Sequence, residues 1–317
     1  MSILILSVVV PCFNEQDGIY ELSRRVTETC KKAVDESYEL ILVNDGSTDE
    51  TWERMCEISK GDSHVISINL SRNYGHQIAL SAGLRFCRGG RIFIIDADLQ
   101  DPPELLSKMM LRMDEGCDVV YGQRNKREGE TAFKKASAFV FYRILNWFVD
   151  INIPKDTGDF RLISSRAVDV LNSMPEHHRF IRGMVSWIGM RQEPIFYDRE
   201  PRFAGKTKYP LSKMIGFAVD AISGFSIQPL RFASWFGVFT GVLTLGLLCF
   251  VIFEYLLGNT IEGWTSLALI ILSLGSVQLF VLGVMGEYLG RIYIESKGRP
   301  LYVIQEVLNS NNSGIFK

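Results

Sequence analysis

The sequence predicts an α/β domain with a mostly parallel sheet, followed by two helices long enough to cross a membrane. Short apolar runs alternate with helical patterns up to about residue 226. This alternation is typical of a parallel sheet with helices on both faces. Polar residues follow several of the apolar runs directly, and two long stretches without a charged residue come after residue 226.

The composition argues against several classes of protein. The 317 residues carry a formal net charge of −2, which gives no general attraction to nucleic acid. The six cysteines include no C-x-x-C pair, so neither a zinc ribbon nor a redox motif is indicated. The histidines lack the H-E-x-x-H spacing of zinc hydrolases. The chain also lacks a G-x-G-x-x-G after its first strand and a P-loop motif, which disfavours a dehydrogenase and a P-loop nucleotidase.

Five apolar runs rich in β-formers predict the strands of the sheet. They are residues 5–10, 40–43, 65–69, 92–95 and 119–121. Helical patterns lie between them. The first run ends at Pro11 and has neither a positively charged region nor a small-residue cleavage site. It is therefore predicted to be a strand and not a signal peptide.

Polar residues follow four of the predicted strands. They are Asn14 with Glu15, Asp45 with Gly46 and Ser47, Arg72 with Asn73, and Asp96 with Asp98. A single acidic loop of this kind is ordinary turn chemistry. Because ligands of parallel sheets bind beyond the carboxyl ends of the strands, four polar strand ends on one edge predict a binding site there.

The acidic segment after the fourth strand predicts a site for a divalent cation. Asp96 and Asp98 lie two residues apart, so in an extended chain their side chains point the same way. Carboxylate oxygens select Mg²⁺ or Mn²⁺, and a bound cation would offset the repulsion between the two acids. One acid could bind the ion and the other a ribose hydroxyl. Asp101, before two prolines, is predicted to cap the next helix.

Residues 232–253 and 264–286 are predicted to span a membrane. The first stretch has 22 residues without a charge. As a helix it measures about 33 Å, which is enough to cross the hydrocarbon core. Trp235 and Trp264 lie near the ends of the spans, as interfacial anchors do. The alternative, a pair of buried helices in a soluble protein, is disfavoured because such helices show a polar stripe.

The charges around the spans predict their orientation. The connection between them has no lysine or arginine, whereas Arg231, Arg291, Lys297 and Arg299 flank them. The positive-inside rule therefore places both termini in the cytoplasm.

Three regions follow from these patterns. Residues 1–209 are predicted to form the cytoplasmic α/β domain, 210–228 an interfacial amphipathic helix, and 229–317 a membrane domain that ends in a cytoplasmic tail. The aromatic-rich segment 133–151 is predicted to lie in the membrane surface or, equally, to pack as an amphipathic helix on the domain. The same two interpretations apply to residues 210–227. Because this segment directly precedes the first span, a position in the membrane surface is favoured for it.

Residues 199–213 stand out by charge. They contain Arg199, Arg202, Lys206, Lys208 and Lys213 against one acid, Glu200. A basic segment next to a membrane attracts anionic headgroups. It could bind the phosphate of a lipid, and nonspecific attraction to the membrane surface is the alternative.

Six motifs, in order along the chain, resemble those of a known enzyme family. They read SVVVPCFNE, LVNDGSTDET, NYGHQIALSAG, DADLQDPPE, TGDFRLISSRA and RFIRGMVSWIG. The chain resembles the family 2 glycosyltransferases with the GT-A fold. Within them it is most similar to polyprenyl-phosphate glycosyltransferases of the bactoprenol glucosyltransferase type, and more distantly to dolichyl-phosphate mannose synthases. The resemblance covers nearly the whole chain, and DADLQDPP followed by GDFRL is fairly specific.

The resemblance implies roles for residues that would bind the donor. A pocket for the nucleotide base and ribose would be lined by Pro11, Glu15 and Asp45. Asp96 and Asp98 would form the Asp-x-Asp motif that holds Mg²⁺ or Mn²⁺. Asp98 would be the direct metal ligand and Asp96 its partner in donor binding. Gln100 would lie beside the donor sugar or the acceptor.

The resemblance also implies roles around the reacting centre. Asp159 would lie near that centre and Arg161 would contact phosphate, so catalysis is assigned to these two residues together with Asp98. Arg202 and Lys208 are the candidates for a loop that closes over the donor pyrophosphate and the acceptor phosphate.

The implied activity is transfer of glucose from UDP-glucose to polyprenyl (undecaprenyl) phosphate, with inversion, at the cytoplasmic face of the cell inner membrane. The second pKa of a phosphate monoester is about 6, so the acceptor is already largely a dianion at neutral pH. Asp159 is therefore expected to orient and not to deprotonate, with Asp156 as the alternative candidate. Small residues such as Gly237 and Gly241 in the first span are compatible with a homo-oligomer.

The sequence is compatible with other functions to different degrees. Mannose, galactose or an aminoarabinose derivative could replace glucose, because only the resemblance indicates the sugar. A membrane-tethered nucleotide-sugar sensor without turnover is disfavoured by the intact acidic and basic motifs. A processive polysaccharide synthase would need a Q-x-x-R-W motif, which HRFIRGMVSW is not. A two-span channel is disfavoured because the spans carry no charged residue to line a pore.

Overall fold

The computed structural model describes residues 4–125, 154, 157–198, 224, 226–257 and 263–309. The chain divides into two compact units. One comprises Met1–Tyr142, Ile151–Lys213 and Arg299–Lys317, and the other comprises Arg143–Asp150 and Met214–Gly298. The predicted interfacial segment at 133–151 lies outside the described residues, as does most of the one at 210–227.

A single mixed sheet forms the centre of the first unit. Its described strands are β1 (Leu6–Cys12), β2 (Tyr38–Asn44), β3 (Val65–Leu70), β4 (Arg91–Ile94), β5 (Val119–Arg124), β6 (Thr157–Ser164), β7 (Gln192–Tyr197) and β8 (Ile304–Asn309). Their order across the sheet is β7-β5-β6-β4-β1-β2-β3-β8.

Six described helices accompany the sheet. They are α1 (Ile19–Val34), α2 (Thr51–Gly61), α3 (His76–Phe86), α4 (Leu106–Asp114), α5 (Ser165–Ser173) and α6 (Ile181–Ile188). A short 3₁₀ turn, Pro103–Leu105, leads into α4.

The middle of the sheet is parallel and is covered on both faces. β1 pairs in parallel with β2 and β4, and β2 pairs in parallel with β3. Every residue of β1 and β2 is buried, as expected for strands with helices on both sides. Val8 belongs to a core that includes Leu22 of α1 and Met109 of α4. Its neighbour Val9 faces α3, where a Cβ added to Gly83 would lie 2.4 Å from the Val9 side chain. The predicted α/β fold class is confirmed.

All five predicted strands are present, and three further strands were not predicted. One of these is β6, which pairs antiparallel with both β4 and β5. Two buried charged residues, Asp159 and Arg161, interrupt its apolar pattern. The interruption hides a buried strand from an analysis based on apolar runs.

The strand β8 closes one edge of the sheet with residues from the end of the chain. It pairs antiparallel with β3, and the carbonyl of Val303 accepts the N–H of Ser71 at 2.9 Å. These residues were predicted to belong to a cytoplasmic tail of the membrane domain. The chain therefore contributes to the first unit again after its second long apolar helix.

A buried glutamate stabilises the turn before β4, at the end of the sheet opposite the polar strand ends. Glu39 on β2 is 2% exposed. Its carboxylate accepts hydrogen bonds from the hydroxyl of Ser7 (2.6 Å) and from the backbone N–H of Arg88 (2.8 Å). The guanidinium of Arg88 also donates to it, at 2.6 and 2.9 Å. These bonds join β1, β2 and the connection from α3 to β4.

Replacement of Glu39 by alanine is expected to lower the free energy of unfolding by about 1–3 kcal/mol, because the buried hydroxyl of Ser7 and the partly buried backbone N–H of Arg88 lose this acceptor. Thermal unfolding of the detergent-solubilised protein, followed by intrinsic fluorescence, measures the effect. Glu36→Ala is the matched control, because Glu36 is exposed near the same end of β2. Equal thermal shifts in the two variants would contradict the stabilising role of the Glu39 network.

The second unit contains two long apolar helices, α7 (Gln228–Leu256) and α8 (Trp264–Ser296). They have 29 and 33 residues. At 1.5 Å per residue they measure about 44 and 50 Å, so both are long enough to cross a membrane. Large apolar side chains on them are more than half exposed, including Phe239, Leu243 and Leu282. Core helices of soluble proteins bury such side chains, which disfavours that alternative.

Candidate active site

The loops after β1 and β2 bind to each other at the carboxyl edge of the sheet. The side-chain carbonyl of Asn14 accepts the N–H of Thr48 at 2.9 Å, and the N–H of Asn14 donates to Ser47 Oγ at 3.0 Å. The N–H of Glu15 donates to Thr51 Oγ1, in the first residue of α2, at 2.9 Å. Two of the polar strand ends predicted from the sequence therefore form one continuous surface.

Asp45 ties the end of β2 to the loop before α3. Its two carboxylate oxygens accept the N–H groups of Tyr74 (2.7 Å) and Gly75 (2.9 Å). Burial raises the pKa of Asp45, although these two bonds oppose the shift. The next residue, Gly46, has φ +64°, and a Cβ there would lie 2.5 Å from the backbone of Arg72. Only glycine fits this contact without strain.

Pro11 and Glu15 lie at the same edge as Asp45. Pro11 pairs with Val43 of β2, and the pairing of β1 with β4 ends two residues earlier, at Val9. A proline is tolerated in this central strand because no β4 residue is paired with it. The roles of Pro11, Glu15 and Asp45 in a base and ribose pocket stay predictions.

The acidic segment begins at Asp96, two residues after the end of β4. Asp96 Oδ1 is buried without a hydrogen-bond partner and lies 3.4 Å from Nε2 of His76. Asp98 Oδ1 accepts the N–H of Gln100 at 3.2 Å. Leu99, between Asp98 and Gln100, has φ +56°, which is a strained conformation for a bulky residue. Its side chain is buried. Strain of this kind is concentrated at functional sites.

His76 is the cationic group among these acids. Burial raises the pKa of Asp96 to about 6, and His76 opposes that shift. Burial by itself lowers the pKa of His76, but the carboxylates of Asp96 and Asp159 reverse this and raise it to about 9. The imidazole is therefore protonated at neutral pH and partly neutralises the acids.

The donor set after β4 fits a divalent cation that takes further ligands from a substrate. Among the described residues no group of three or more acidic, histidine or cysteine side chains is arranged to hold an ion by itself. Asp96 and Asp98 supply two carboxylates, and the buried Oδ1 of Asp96 has no hydrogen-bond partner. Mg²⁺ and Mn²⁺ accept this arrangement, because water and substrate phosphate commonly complete their coordination.

Asp159 is brought to the same edge by the pairing of β6 with β4. Arg161 lies opposite Ile94, so the start of β6 is adjacent to the end of β4. Asp159 is 6% exposed. Its Oδ2 accepts a hydrogen bond from Gln77 Nε2 at 2.7 Å and lies 3.4 Å from His76 Nε2. Its Oδ1 has no hydrogen-bond partner.

Two guanidinium groups flank Oδ1 of Asp159, the oxygen that has no hydrogen-bond partner. Nη2 of Arg161 and Nη2 of Arg182 each lie 3.7 Å from Oδ1. Burial by itself raises the pKa of Asp159, but Arg182, His76 and Arg161 outweigh it and hold this pKa well below its usual range. Burial lowers the pKa of Arg161 to about 10. The buried Nε groups of Arg161 and Arg182 have no hydrogen-bond partner, so both side chains can still bind an anion.

The prediction that Asp101 caps the following helix is wrong. Neither the 3₁₀ turn nor α4 has a side-chain cap. Asp101 is 1% exposed and accepts a hydrogen bond from the hydroxyl of Tyr197, while Arg124 Nη2 lies 3.9 Å from it. Tyr197 belongs to β7, 96 residues further along the chain, and local sequence spacing cannot predict such a partner.

The structure collects predicted and unpredicted residues in one site. Asp96 and Asp98 follow β4 at a polar strand end that the sequence indicated. Pairing of β6 with β4 brings Asp159 and Arg161, which only the resemblance had indicated, to the same edge. The catalytic and metal-binding roles of all four residues stay predictions. His76, Gln77 and Arg182 were not predicted to contribute. The only signal for them is their position in the motifs NYGHQIALSAG and RFIRGMVSWIG. The candidates Arg202, Lys208 and Asp156 lie outside the described residues.

The chain matches one protein family model and is similar to several known proteins. Residues 7–171 match the model of Glycosyl transferase family 2. The chain is 45% identical over 314 residues to an uncharacterized glycosyltransferase, YkcC, of Bacillus subtilis, covering 98% of this chain and 96% of that protein. It is 36% identical over 301 residues to the bactoprenol glucosyl transferase of Shigella phage SfV, covering 95% and 98%. The crystal structure of mannosyl-3-phosphoglycerate synthase from Rubrobacter xylanophilus matches with a TM-score of 0.47 at 15% identity, covering 69% and 72%.

Proposed function

This chain belongs to glycosyl transferase family 2, and on that premise we propose that it transfers glucose from UDP-glucose to polyprenyl phosphate. The family membership confirms that the chain is a glycosyltransferase. The observation that carries the finer proposal is the 36% identity to a relative named bactoprenol glucosyl transferase. That match covers 95% of this chain, and therefore extends beyond the α/β domain into α7 and α8.

A lipid acceptor agrees with the two apolar helices, which associate the chain with a membrane. We place the enzyme in the inner membrane with the α/β domain and both termini in the cytoplasm. The arginine and lysine residues that flank the spans support this orientation. The acceptor would then be undecaprenyl phosphate, and the cytoplasm would supply the nucleotide sugar.

The site suits the donor diphosphate. Asp96 and Asp98 would hold Mg²⁺ or Mn²⁺, which when bound stabilises negative charge on the departing UDP. The loops after β1 and β2, with Pro11, Glu15 and Asp45, would receive the nucleoside.

The acceptor reacts as a phosphate nucleophile. One oxygen of the acceptor phosphate attacks the anomeric carbon from the side opposite UDP, and the bond from that carbon to the UDP oxygen breaks. The configuration at the anomeric carbon is inverted. Arg161 and Arg182 would bind phosphate oxygens through their unpaired N–H groups and hold the nucleophile in line.

Asp159 would orient and not act as a base. The acceptor dianion has no proton to lose, because its second pKa is about 6. A carboxylate whose pKa is held below its usual range is also a weak proton acceptor. Asp159 can instead accept a hydrogen bond from the sugar through its unpaired Oδ1 and fix the two arginines.

A donor panel tests the proposed substrates. We expect the purified protein, with undecaprenyl phosphate and Mg²⁺ or Mn²⁺, to convert UDP-glucose to glucosylated lipid detectable by mass spectrometry. UDP-galactose, GDP-mannose and a nucleotide-linked aminoarabinose derivative should give at most a small fraction of that product. EDTA should suppress the reaction and added Mg²⁺ or Mn²⁺ should restore it.

The alternatives predict other results in the same assay. Preferential formation of a mannosyl, galactosyl or aminoarabinosyl lipid would keep the reaction and reject glucose. Retained UDP binding without any lipid product would favour the nucleotide-sugar sensor.

A further inference from the structure

Gln77, the second residue of α3, bridges three elements around Asp159. Its Nε2 donates to Asp159 Oδ2 on β6 at 2.7 Å, and its Oε1 accepts the backbone N–H of Ile181 at the start of α6 at 2.9 Å. These partners are 82 and 104 residues away along the chain. The single amide therefore links α3, β6 and α6.

The orientation of this amide follows from its partners. A backbone N–H can only donate, so the Gln77 atom that faces Ile181 must be the carbonyl oxygen. The NH₂ group then faces Asp159, and the carboxylate oxygen accepts. Because Gln77 donates, it favours the ionised form of Asp159 and holds its Oδ2 in place.

The bond to Ile181 also positions the start of α6. Ile181 is the first residue of α6, where backbone N–H groups lack an intrahelical acceptor. The preceding residue, Phe180, has no side-chain group that caps the helix. The side-chain carbonyl of Gln77 caps it instead by accepting the N–H of Ile181. The next residue in α6 is Arg182, which faces Asp159 Oδ1 at 3.7 Å. Gln77 thus fixes both the carboxylate and the helix that carries one of its cationic neighbours.

The distances between Asp159 and its two arginine neighbours indicate what the Gln77 amide prevents. Arg161 and Arg182 both lie 3.7 Å from Asp159 Oδ1, which is beyond hydrogen-bond distance. The two ion pairs therefore lack direct hydrogen bonds, and without Gln77 the carboxylate can turn toward the guanidinium groups and form such bonds. Those hydrogen bonds would change the positions of the guanidinium groups that are proposed to bind phosphate, and they would occupy the oxygen proposed to bind the sugar.

We propose that Gln77 is a positioning residue for glycosyl transfer, which fixes the orientation of Asp159 and keeps it beyond hydrogen-bond distance of Arg161 and Arg182 so that all three can bind substrate. The proposal rests on the proposed function, because it takes Asp159 as a residue that contacts the reacting groups. Gln77 itself contacts neither donor nor acceptor in this account. Its loss should therefore affect turnover more than the binding of substrates.

Two substitutions separate positioning from folding. Gln77→Glu keeps the side-chain volume and an acceptor for Ile181, but it replaces the donor to Asp159 with a second carboxylate. We expect its kcat to fall about 10- to 100-fold, as when an outer partner of a catalytic group is lost, with KM for the donor within about threefold. Because two adjacent carboxylates repel each other, its thermal midpoint should fall as well, so kcat is measured well below that midpoint, where the protein is folded. Gln77→Met loses both bonds, so it should lower kcat similarly and also lower the thermal midpoint.

Gln192→Met is the matched control. Gln192 Nε2 donates to the carbonyl of Val185 at 2.8 Å, so it also bonds to the backbone of α6, but away from Asp159. This variant should keep kcat within about twofold of the wild type. All rates are measured with the full-length protein and the donor that the wild type accepts in the panel above, so a wrong choice of sugar does not affect the result.

The outcomes separate the two proposals. If Gln77→Glu keeps its kcat while Asp159→Asn is inactive, the positioning role fails and the role of Asp159 stands. If Asp159→Asn also keeps its turnover, both roles fail. A loss of kcat in Gln192→Met as large as that in Gln77→Glu would attribute the effect to the stability of α6 and overturn the proposal.

Discussion

Replacement of Asp98 by alanine is expected to lower metal-dependent glycosyl transfer by about a hundredfold or more, the scale of losing a principal electrostatic stabiliser of the transition state. Asp98 is the carboxylate proposed as the direct metal ligand, and Mg²⁺ is bound through only one or two protein carboxylates, so its loss removes a principal protein ligand. Initial rates of lipid glycosylation over a range of metal concentrations measure the effect. Raising the metal concentration should recover little of the lost rate.

A control must show that the loss comes from the site. Asp169→Ala removes an exposed aspartate from α5, at a position that takes no part in the strand-end site, and should leave the rate unchanged. Near-normal activity of Asp98→Ala at low metal concentration would reject Asp98 as the metal ligand. The thermal midpoints of both variants show whether either change has affected folding.

Asp159→Asn is expected to lower kcat by about a hundredfold, because misplacement of groups around a reacting centre has effects of this size. Asparagine keeps the shape of the side chain but removes the negative charge between Arg161 and Arg182. The two guanidiniums then repel each other, and the hydrogen bond from Gln77 loses its charged acceptor. Single-turnover rates with saturating donor and acceptor separate this effect from substrate binding.

Asp118→Asn is the control for the loss of a buried aspartate next to β6. Asp118 is 4% exposed, bonds to Arg166 at 2.5 and 2.6 Å, and accepts the hydroxyl of Ser164 at the far end of β6. Its substitution should lower the thermal midpoint without changing kcat. If Asp159→Asn keeps most of its turnover, neither an essential base nor an essential orienting carboxylate exists at position 159.

Local pattern was sufficient for much of the architecture. Each of the five predicted strands is an apolar run of a few residues. The alternation of these runs with helical patterns predicted a mostly parallel sheet, and the centre of the sheet is parallel. The two apolar stretches predicted as spans lie within α7 and α8. The strand β6 was missed because Asp159 and Arg161 interrupt its apolar pattern. The strand β8 was missed because its partner β3 is more than two hundred residues away in the chain.

The site divides in the same way. Asp96 and Asp98 could be identified as a candidate metal site because both acids lie within three consecutive residues at a strand end. Their relation to His76 could not, because the imidazole comes from the start of another helix. Asp101 shows that a local pattern can be misleading. An aspartate before two prolines is typical of a helix cap, but Asp101 does not cap the following helix. Its actual partner, Tyr197, becomes a neighbour only when β7 has paired with β5.

The sequence by itself determined the class of the fold, the apolar helices and the acidic strand end, because hydrophobic periodicity and turn chemistry act over a few residues. Only the tertiary structure decided which charges share the site. Sheet pairing sets β6 beside β4. The Gln77 amide, which is 82 residues from Asp159 and 104 residues from Ile181 along the chain, joins Asp159 to α6. Such contacts depend on the register and packing of distant elements, which no short stretch of sequence specifies.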